Sequence, residues 1–254
     1  MSSDLPEGNL EVMHGLFITG TDTEVGKTHV TCEIARTLSA AGSRVGLYKP
    51  VCSGGISGGD GTIVWDDLQR LNNALPEPVP VDRICPQRFV APLAPPVAAR
   101  EEGRTIDEQL LRTGIHGWDD AADVLLVEGV GGLLCPLTDR ETVADLAVDF
   151  GFPLLIVSPQ RLGTINHTLM TVEVARSRGL HVAGIVMNHV VPPADDSVAS
   201  NAAEIASRAG VPVIAELPYH PSLGLPGSDP DVKIDWWKVI RATADTEGAV
   251  DSND

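Results

Sequence analysis

Six short runs along the chain are apolar almost without interruption: 16–20 (LFITG), 44–50 (RVGLYKP), 123–129 (DVLLVEG), 153–158 (PLLIVS), 182–188 (VAGIVMN) and 211–218 (VPVIAELP). They are built from Val, Leu and Ile and bounded by Gly, Pro or polar residues. Continuous runs of this kind predict strands buried on both faces, whereas a half-solvated sheet would alternate. Between them apolar residues recur at helical spacing, predicting helices at about 26–41, 64–74, 105–114, 141–150, 164–178, 196–209 and 233–244. Strand–helix alternation implies βαβ units and a mostly parallel sheet with helices on both faces, a three-layer α/β/α fold. The segment 75–104 holds seven of the 19 prolines and reads as an irregular loop over the sheet. No repeat or linker divides the chain, so a single domain is expected over 14–245, with 1–13 and 246–254 as tails.

Charge narrows the partners. Eighteen basic residues stand against 35 acidic ones, a formal net charge of −17. Such a surface repels nucleic acid and anionic lipid, and any anionic ligand has to be captured by local geometry. The four cysteines, Cys32, Cys52, Cys85 and Cys135, form no CxxC pair and read as free thiols of a reducing compartment. No apolar run is long enough to cross a bilayer, and the opening MSSDLPEGNLEV is acidic and polar, unlike a signal peptide. A cytoplasmic location is expected.

The chemistry gathers where predicted strands end, the edge at which open α/β sheets bind ligands. After the first strand comes GTDTEVGKT, residues 20–28. Glycines at both ends of the turn let backbone N–H groups approach an anion, and the following helix adds its positive end. Lys27 reaches toward terminal phosphates and Thr28 offers a hydroxyl to magnesium. The P-loop pattern has four residues between its glycines; here there are five between Gly20 and Gly26. Glu128 closes the third apolar strand in VEGVGG, a poor core residue there and a candidate metal or γ-phosphate neighbour. Asp66 and Asp67 open a predicted helix, where acids also serve as simple N-terminal charges. Lys49 precedes Pro50 at a strand end, a second cation for a phosphoryl group in transit.

In this order the motifs resemble dethiobiotin synthetases, from about Leu16 to Pro221. TGTDTEVGKT is similar to that family's lengthened P-loop, YKPVCSG to its Y-K-P-V-x-S-G, VEGVGG to its V-E-G-A-G-G, and LGTINHT to its helix start. The resemblance implies a P-loop homodimer that closes the cyclic urea of dethiobiotin from 7,8-diaminononanoate, CO2 and ATP, with Mg2+. By position it implies that Glu24, Val25, Gly26, Lys27 and Thr28 hold the nucleotide phosphates, and that His29 and Gly131 belong to the same nucleotide site. Thr28, Asp67 and Glu128 would hold the metal, with Asp66 the alternative to Asp67. Lys27 and Lys49 would stabilise charge on the carbamate and γ-phosphate, and Ser53 would touch the diamine. Asn188, Pro218, Tyr219 and His220 would read the base, adenine or cytosine. Leu162, Gly163, Thr164, Ile165 and Asn166 would bind the substrate carboxylate from the other subunit through helix-start N–H groups. Two other readings remain: a non-catalytic P-loop partner-binding domain, and a cobyrinate-type amide synthetase relative.

Overall fold

The computed structural model describes residues 13–191, 198–220, 225–226 and 234–242. Of the expected tails, 1–13 and 246–254, all but Met13 lie outside these residues, and so does part of the segment after Pro221.

One six-stranded sheet organises the chain. Its strands are β1 (His14–Gly20), β2 (Val45–Tyr48), β3 (Val124–Gly132), β4 (Leu154–Pro159), β5 (Val182–Asn188) and β6 (Val213–Leu217), ordered β6-β5-β4-β1-β3-β2. Every pairing in it is parallel. Consecutive residues Leu16, Phe17 and Ile18 are all fully buried, as are Leu125 to Val127 and Leu154 to Val157. Adjacent strand residues point to opposite faces, so both faces are covered and the architecture is the three-layer α/β/α expected. β1 sits between β3 and β4, where the direction of winding reverses. Loops leaving β1 and its neighbours diverge there and open a crevice at the strands' C-terminal edge.

The helices among the described residues are α1 (Lys27–Ala40), α2 (Asp66–Ala74), α3 (Val81–Ile84), α4 (Pro95–Glu101), α5 (Glu108–Thr113), α6 (Val143–Phe150), α7 (Thr164–Ser177), α8 (Val198–Ala209) and α9 (Trp236–Ile240). Seven of them fall within the segments the hydrophobic periodicity predicted, and two, α3 and α4, do not. Local chemistry fixes several ends. The Asp107 carboxylate accepts from the Leu110 amide and starts α5, and Thr142 and Asp145 form a reciprocal capping box at α6. Gly151, at φ 64°, ends α6 in the left-handed conformation.

The segment 75–104 corrects the sequence expectation of a structureless loop. It contains α3, a two-residue strand Gln87–Arg88 paired with Val51–Cys52, and α4. Pro95 and Pro96 occupy the first turn of α4. A proline there loses no helical hydrogen bond and arrives with its φ already set, so the pair that reads as a breaker is a helix start. The C-terminal helix is likewise shorter than predicted, with Trp236 buried and Trp237 packed edge-on against His14 at 5.6 Å.

Candidate active site

The turn from β1 to α1 is a tight anion cradle. Glu24 has φ 59° and Gly26 φ 94°, so two residues of the loop adopt the left-handed conformation that turns successive N–H groups inward. The Thr21 amide donates to the Val157 carbonyl at 3.1 Å, fastening the loop to β4. Val25 is buried, and its carbonyl accepts from the Asn188 side-chain amide at 2.9 Å. Lys27 is almost fully buried and donates to the Asp22 carbonyl at 3.0 Å, folded back over its own loop. Burial, with Lys49 close by, lowers its pKa from 10.5 to about 8.

Four segments meet at the foot of this loop. The Thr28 hydroxyl donates to Glu128 Oε1 at 2.8 Å and to Asp67 Oδ1 at 3.0 Å. Lys49 Nζ lies 2.5 Å from Glu128 Oε1 and 2.7 Å from Asp67 Oδ2, so one buried ammonium joins a buried carboxylate to a half-exposed one. Burial opposes the charge on Lys49, but Glu128 and then Asp67 outweigh it and raise its pKa well above the ordinary value. Lys49 in turn holds Asp67 below the usual carboxylate range. Asp66 also lines the neighbouring cavity, but it pairs with Arg70 one helical turn on at 2.8 Å and not with Thr28 or Lys49. Of the two acids opening α2, Asp67 is therefore the one facing the P-loop.

Glu128 Oε2 is buried and has no hydrogen-bond partner among the described residues. An orphaned carboxylate oxygen beside a threonine hydroxyl and a second carboxylate is a donor set of the kind magnesium takes, completed by phosphate oxygens and water. No group of three or more His, Cys, Asp or Glu side chains able to hold a metal forms among the described residues. The fit is thus to a hard cation shared with phosphates, not to a site closed by protein alone.

Beside these groups opens a cavity of about 720 Å³, lined among others by Glu24, Gly26 to His29, Asn188, Ser53, Gly54, Trp65 and Pro92 to Pro95. Gly131, at φ 61°, also lines it. Burial lowers the pKa of His29. Asn188 is fully buried; its amide nitrogen is committed to Val25, while its Oδ1 has no partner among the described residues.

Residues 14–226 match a family model described as an AAA domain. The ATP-dependent dethiobiotin synthetase BioD of Anaeromyxobacter dehalogenans (strain 2CP-C) is 46% identical over 83% of this chain and 92% of its own length. The same-named protein of Rhodopirellula baltica is 39% identical, covering 79% of this chain and 82% of that one. The chain belongs to the dethiobiotin synthetase family. A solved structure, the MinC:MinD cell division protein complex of Aquifex aeolicus, is similar at 19% identity, 84% coverage of this chain and 86% of that one, with a TM-score of 0.48.

Within this dethiobiotin synthetase chain the motif residues divide into two sets. Glu24, Gly26 to His29, Lys49, Ser53, Asp67, Gly131 and Asn188 line one cavity, with Glu128 directly beneath Thr28 and Lys49. Leu162 to Asn166 lie outside that lining, at the start of α7; Leu162 is 81% exposed, and Gly163 turns the chain at φ 90°. Pro218 and Tyr219 follow β6 and are also outside it, and of His220 only the backbone is described. Sequence reasoning missed Trp65 and the Pro92–Pro95 wall. The signal was present in FVAPLAPPV, whose prolines alternate with apolar residues, but it was read only as a loop.

Proposed function

We propose that the chain is an ATP-dependent dethiobiotin synthetase, a ligase of biotin biosynthesis that joins CO2 to 7,8-diaminononanoate and closes the cyclic urea. The observation that carries this reading is the meeting of Thr28, Lys49, Asp67 and Glu128 at the foot of the P-loop, beside a cavity large enough for a nucleotide and a small substrate. A partner-binding domain has no need of a buried ammonium between two carboxylates, an arrangement expensive to desolvate.

Glu24 to Thr28 wrap the phosphates with backbone N–H groups, and Lys27 leaves the Asp22 carbonyl to meet the β- and γ-phosphates. Thr28, Asp67 and Glu128 are the side chains that would hold Mg2+, which when bound neutralises phosphate charge. Ser53 holds the diamine, one of whose amines takes up CO2 as a carbamate. A carbamate oxygen forms a bond to the γ-phosphorus as the bond to ADP breaks, giving a carbamic–phosphoric anhydride. Lys49 and Lys27 stabilise the charge spread over the transferring phosphoryl oxygens. The second amine then attacks the carbamoyl carbon, phosphate leaves, and the ring closes with loss of the amine protons.

The domain spans 14–245 and works in the cytoplasm as a homodimer. The helix start Leu162–Asn166 of one subunit serves the substrate carboxylate in the other, which accounts for its absence from its own cavity lining. Asn188 and Pro218–His220 read the base.

Purified protein given Mg-ATP, bicarbonate and 7,8-diaminononanoate is expected to release phosphate, and omission of the diamine to stop it. Release that continues without diamine would sink the proposal. A second expectation separates the two acids of α2. Asp67→Asn is expected to raise the magnesium concentration needed for half-maximal rate by about tenfold or more, while Asp66→Asn leaves it within about twofold. A magnesium titration of phosphate release decides, and equal effects would refute the assignment.

A further inference from the structure

Gln160 is 2% exposed and Asn201 4% exposed, two amide side chains buried outside the cavity lining. An amide at that depth is costly unless it is hydrogen-bonded, and Gln160 uses both ends of its own. Its Nε2 donates to Glu216 Oε2 at 2.9 Å, and its Oε1 accepts from Asn201 Nδ2 at 3.1 Å. Gln160 directly follows β4, Glu216 lies on β6 and Asn201 on α8. β5 runs between β4 and β6, so the Gln160–Glu216 bond reaches across it from one neighbour to the other. Strands in a sheet lie about 4.8 Å apart, and the two side chains together span roughly 10 Å.

This strap crosses β5 beside Asn188. Pro159 of β4 and Leu217 of β6 are the residues level with Asn188, and Glu216 is one step earlier. Pro159 has no N–H to donate, and it is the Gln160 amide that reaches the Asn188 carbonyl, at 2.8 Å. On the other side the His189 amide donates to the Leu217 carbonyl at 3.0 Å. With its Nδ2 held by the Val25 carbonyl, Asn188 has one side-chain atom to offer, the buried Oδ1 that no described residue bonds. Where that oxygen lies depends on how firmly the tips of β4 and β6 hold the end of β5.

We propose that Gln160 is a positioning residue for the nucleotide: by strapping β4 to β6 and α8 it fixes Asn188 Oδ1 where the amino group of the base meets it. This inference rests on the reading above in which Asn188 reads the base, and adds what holds that residue in place. An acceptor already fixed in position loses little freedom on binding, so the strap strengthens the contact to the base and leaves the phosphates to the P-loop. Gln160 lies outside the cavity lining and acts through Asn188.

Calorimetric titrations with a non-hydrolysable ATP analogue and with inorganic triphosphate, both with magnesium, separate base from phosphate. The unaltered protein is expected to bind the analogue more tightly. Gln160→Leu is expected to lower the ratio of analogue to triphosphate affinity about tenfold, the size of a lost buried hydrogen bond. Glu216 is exposed, so Glu216→Ala spares the core, and it should give a similar loss. The two substitutions together should give no more than either alone, whereas independent defects would multiply. Glu216→Gln keeps an acceptor for Gln160 and is expected to hold the ratio within about twofold. An unchanged ratio in Gln160→Leu and Glu216→Ala overturns the strap. So do equal losses for analogue and triphosphate, which would make it a plain support of the sheet. If the unaltered protein binds the two probes equally, the reading of Asn188 fails and the strap with it; a preference for the analogue that survives both variants refutes the strap alone.

Discussion

Lys49→Ala is expected to lower kcat/KM for diamine-dependent phosphate release by about three orders of magnitude, and to destabilise the protein when magnesium is absent. Both effects come from one atom. Lys49 Nζ is the cation lying between Asp67 and Glu128, and Glu128 is only 1% exposed at its side chain. Truncation leaves two carboxylates facing each other with a threonine hydroxyl between them. Breaking a buried pair by removing one partner costs about 3–5 kcal/mol. Because Asp67 is half-exposed and water can reach it, the lower end of that range applies. Added magnesium is expected to recover much of the melting temperature, since a divalent ion replaces the lost charge, but not the rate. Thermal melts with and without magnesium, beside single-turnover phosphate release, separate the two roles. Normal turnover in the variant would remove Lys49 from the phosphoryl-transfer step.

Gly26→Ala is expected to weaken ATP binding by about a hundredfold or more, through two costs that a control variant separates. Gly26 has φ 94°, and an added Cβ would stand 2.0 Å from the Asn188 amide nitrogen. The strain alone is worth roughly 1–2 kcal/mol. The collision is more serious, because it pushes Asn188 off the Val25 carbonyl and distorts the cradle and the base end together. Gly42, just past α1, has φ 92° but nothing within 4 Å of its would-be Cβ. Gly42→Ala therefore incurs the strain without the collision. Calorimetric titration with a non-hydrolysable ATP analogue should show a large loss for Gly26→Ala and near-normal affinity for Gly42→Ala, both melting at lower temperature. Equal affinities would mean that the loop tolerates a side chain at its tightest turn.

The sheet was legible because its strands lie between two helical layers, and that leaves an unbroken apolar signature. β5 occupies 182–188, the residues the pattern predicted. The P-loop was legible because its pattern is local: a glycine, a lysine and a threonine in succession at a helix start. The Lys49–Asp67–Glu128 triad is different. Its members lie 18 and 79 positions apart from Lys49, and no sequence window holds the ion pair. Lys49 alone read as a phosphate cation and Glu128 alone as a metal ligand; only the fold makes them partners. The wall at Pro92–Pro95 was obscured because proline carries two opposite meanings. In a helix interior it breaks the helix, and in the first turn it starts one. Composition does not distinguish the two without the register of α4.

The position of β1 has a consequence for synthesis on the ribosome. The strand that carries the P-loop is made among the first, yet it is flanked by β3 and β4, whose residues run to Pro159. Parallel neighbours so distant in sequence pair slowly, after long loops have closed. A nascent chain that has displayed GTDTEVGKT for more than a hundred codons therefore has no finished cradle to offer. Nucleotide capture is expected only after both flanking strands have emerged, with ATP a late fastener of the folded chain and not a nucleus for it.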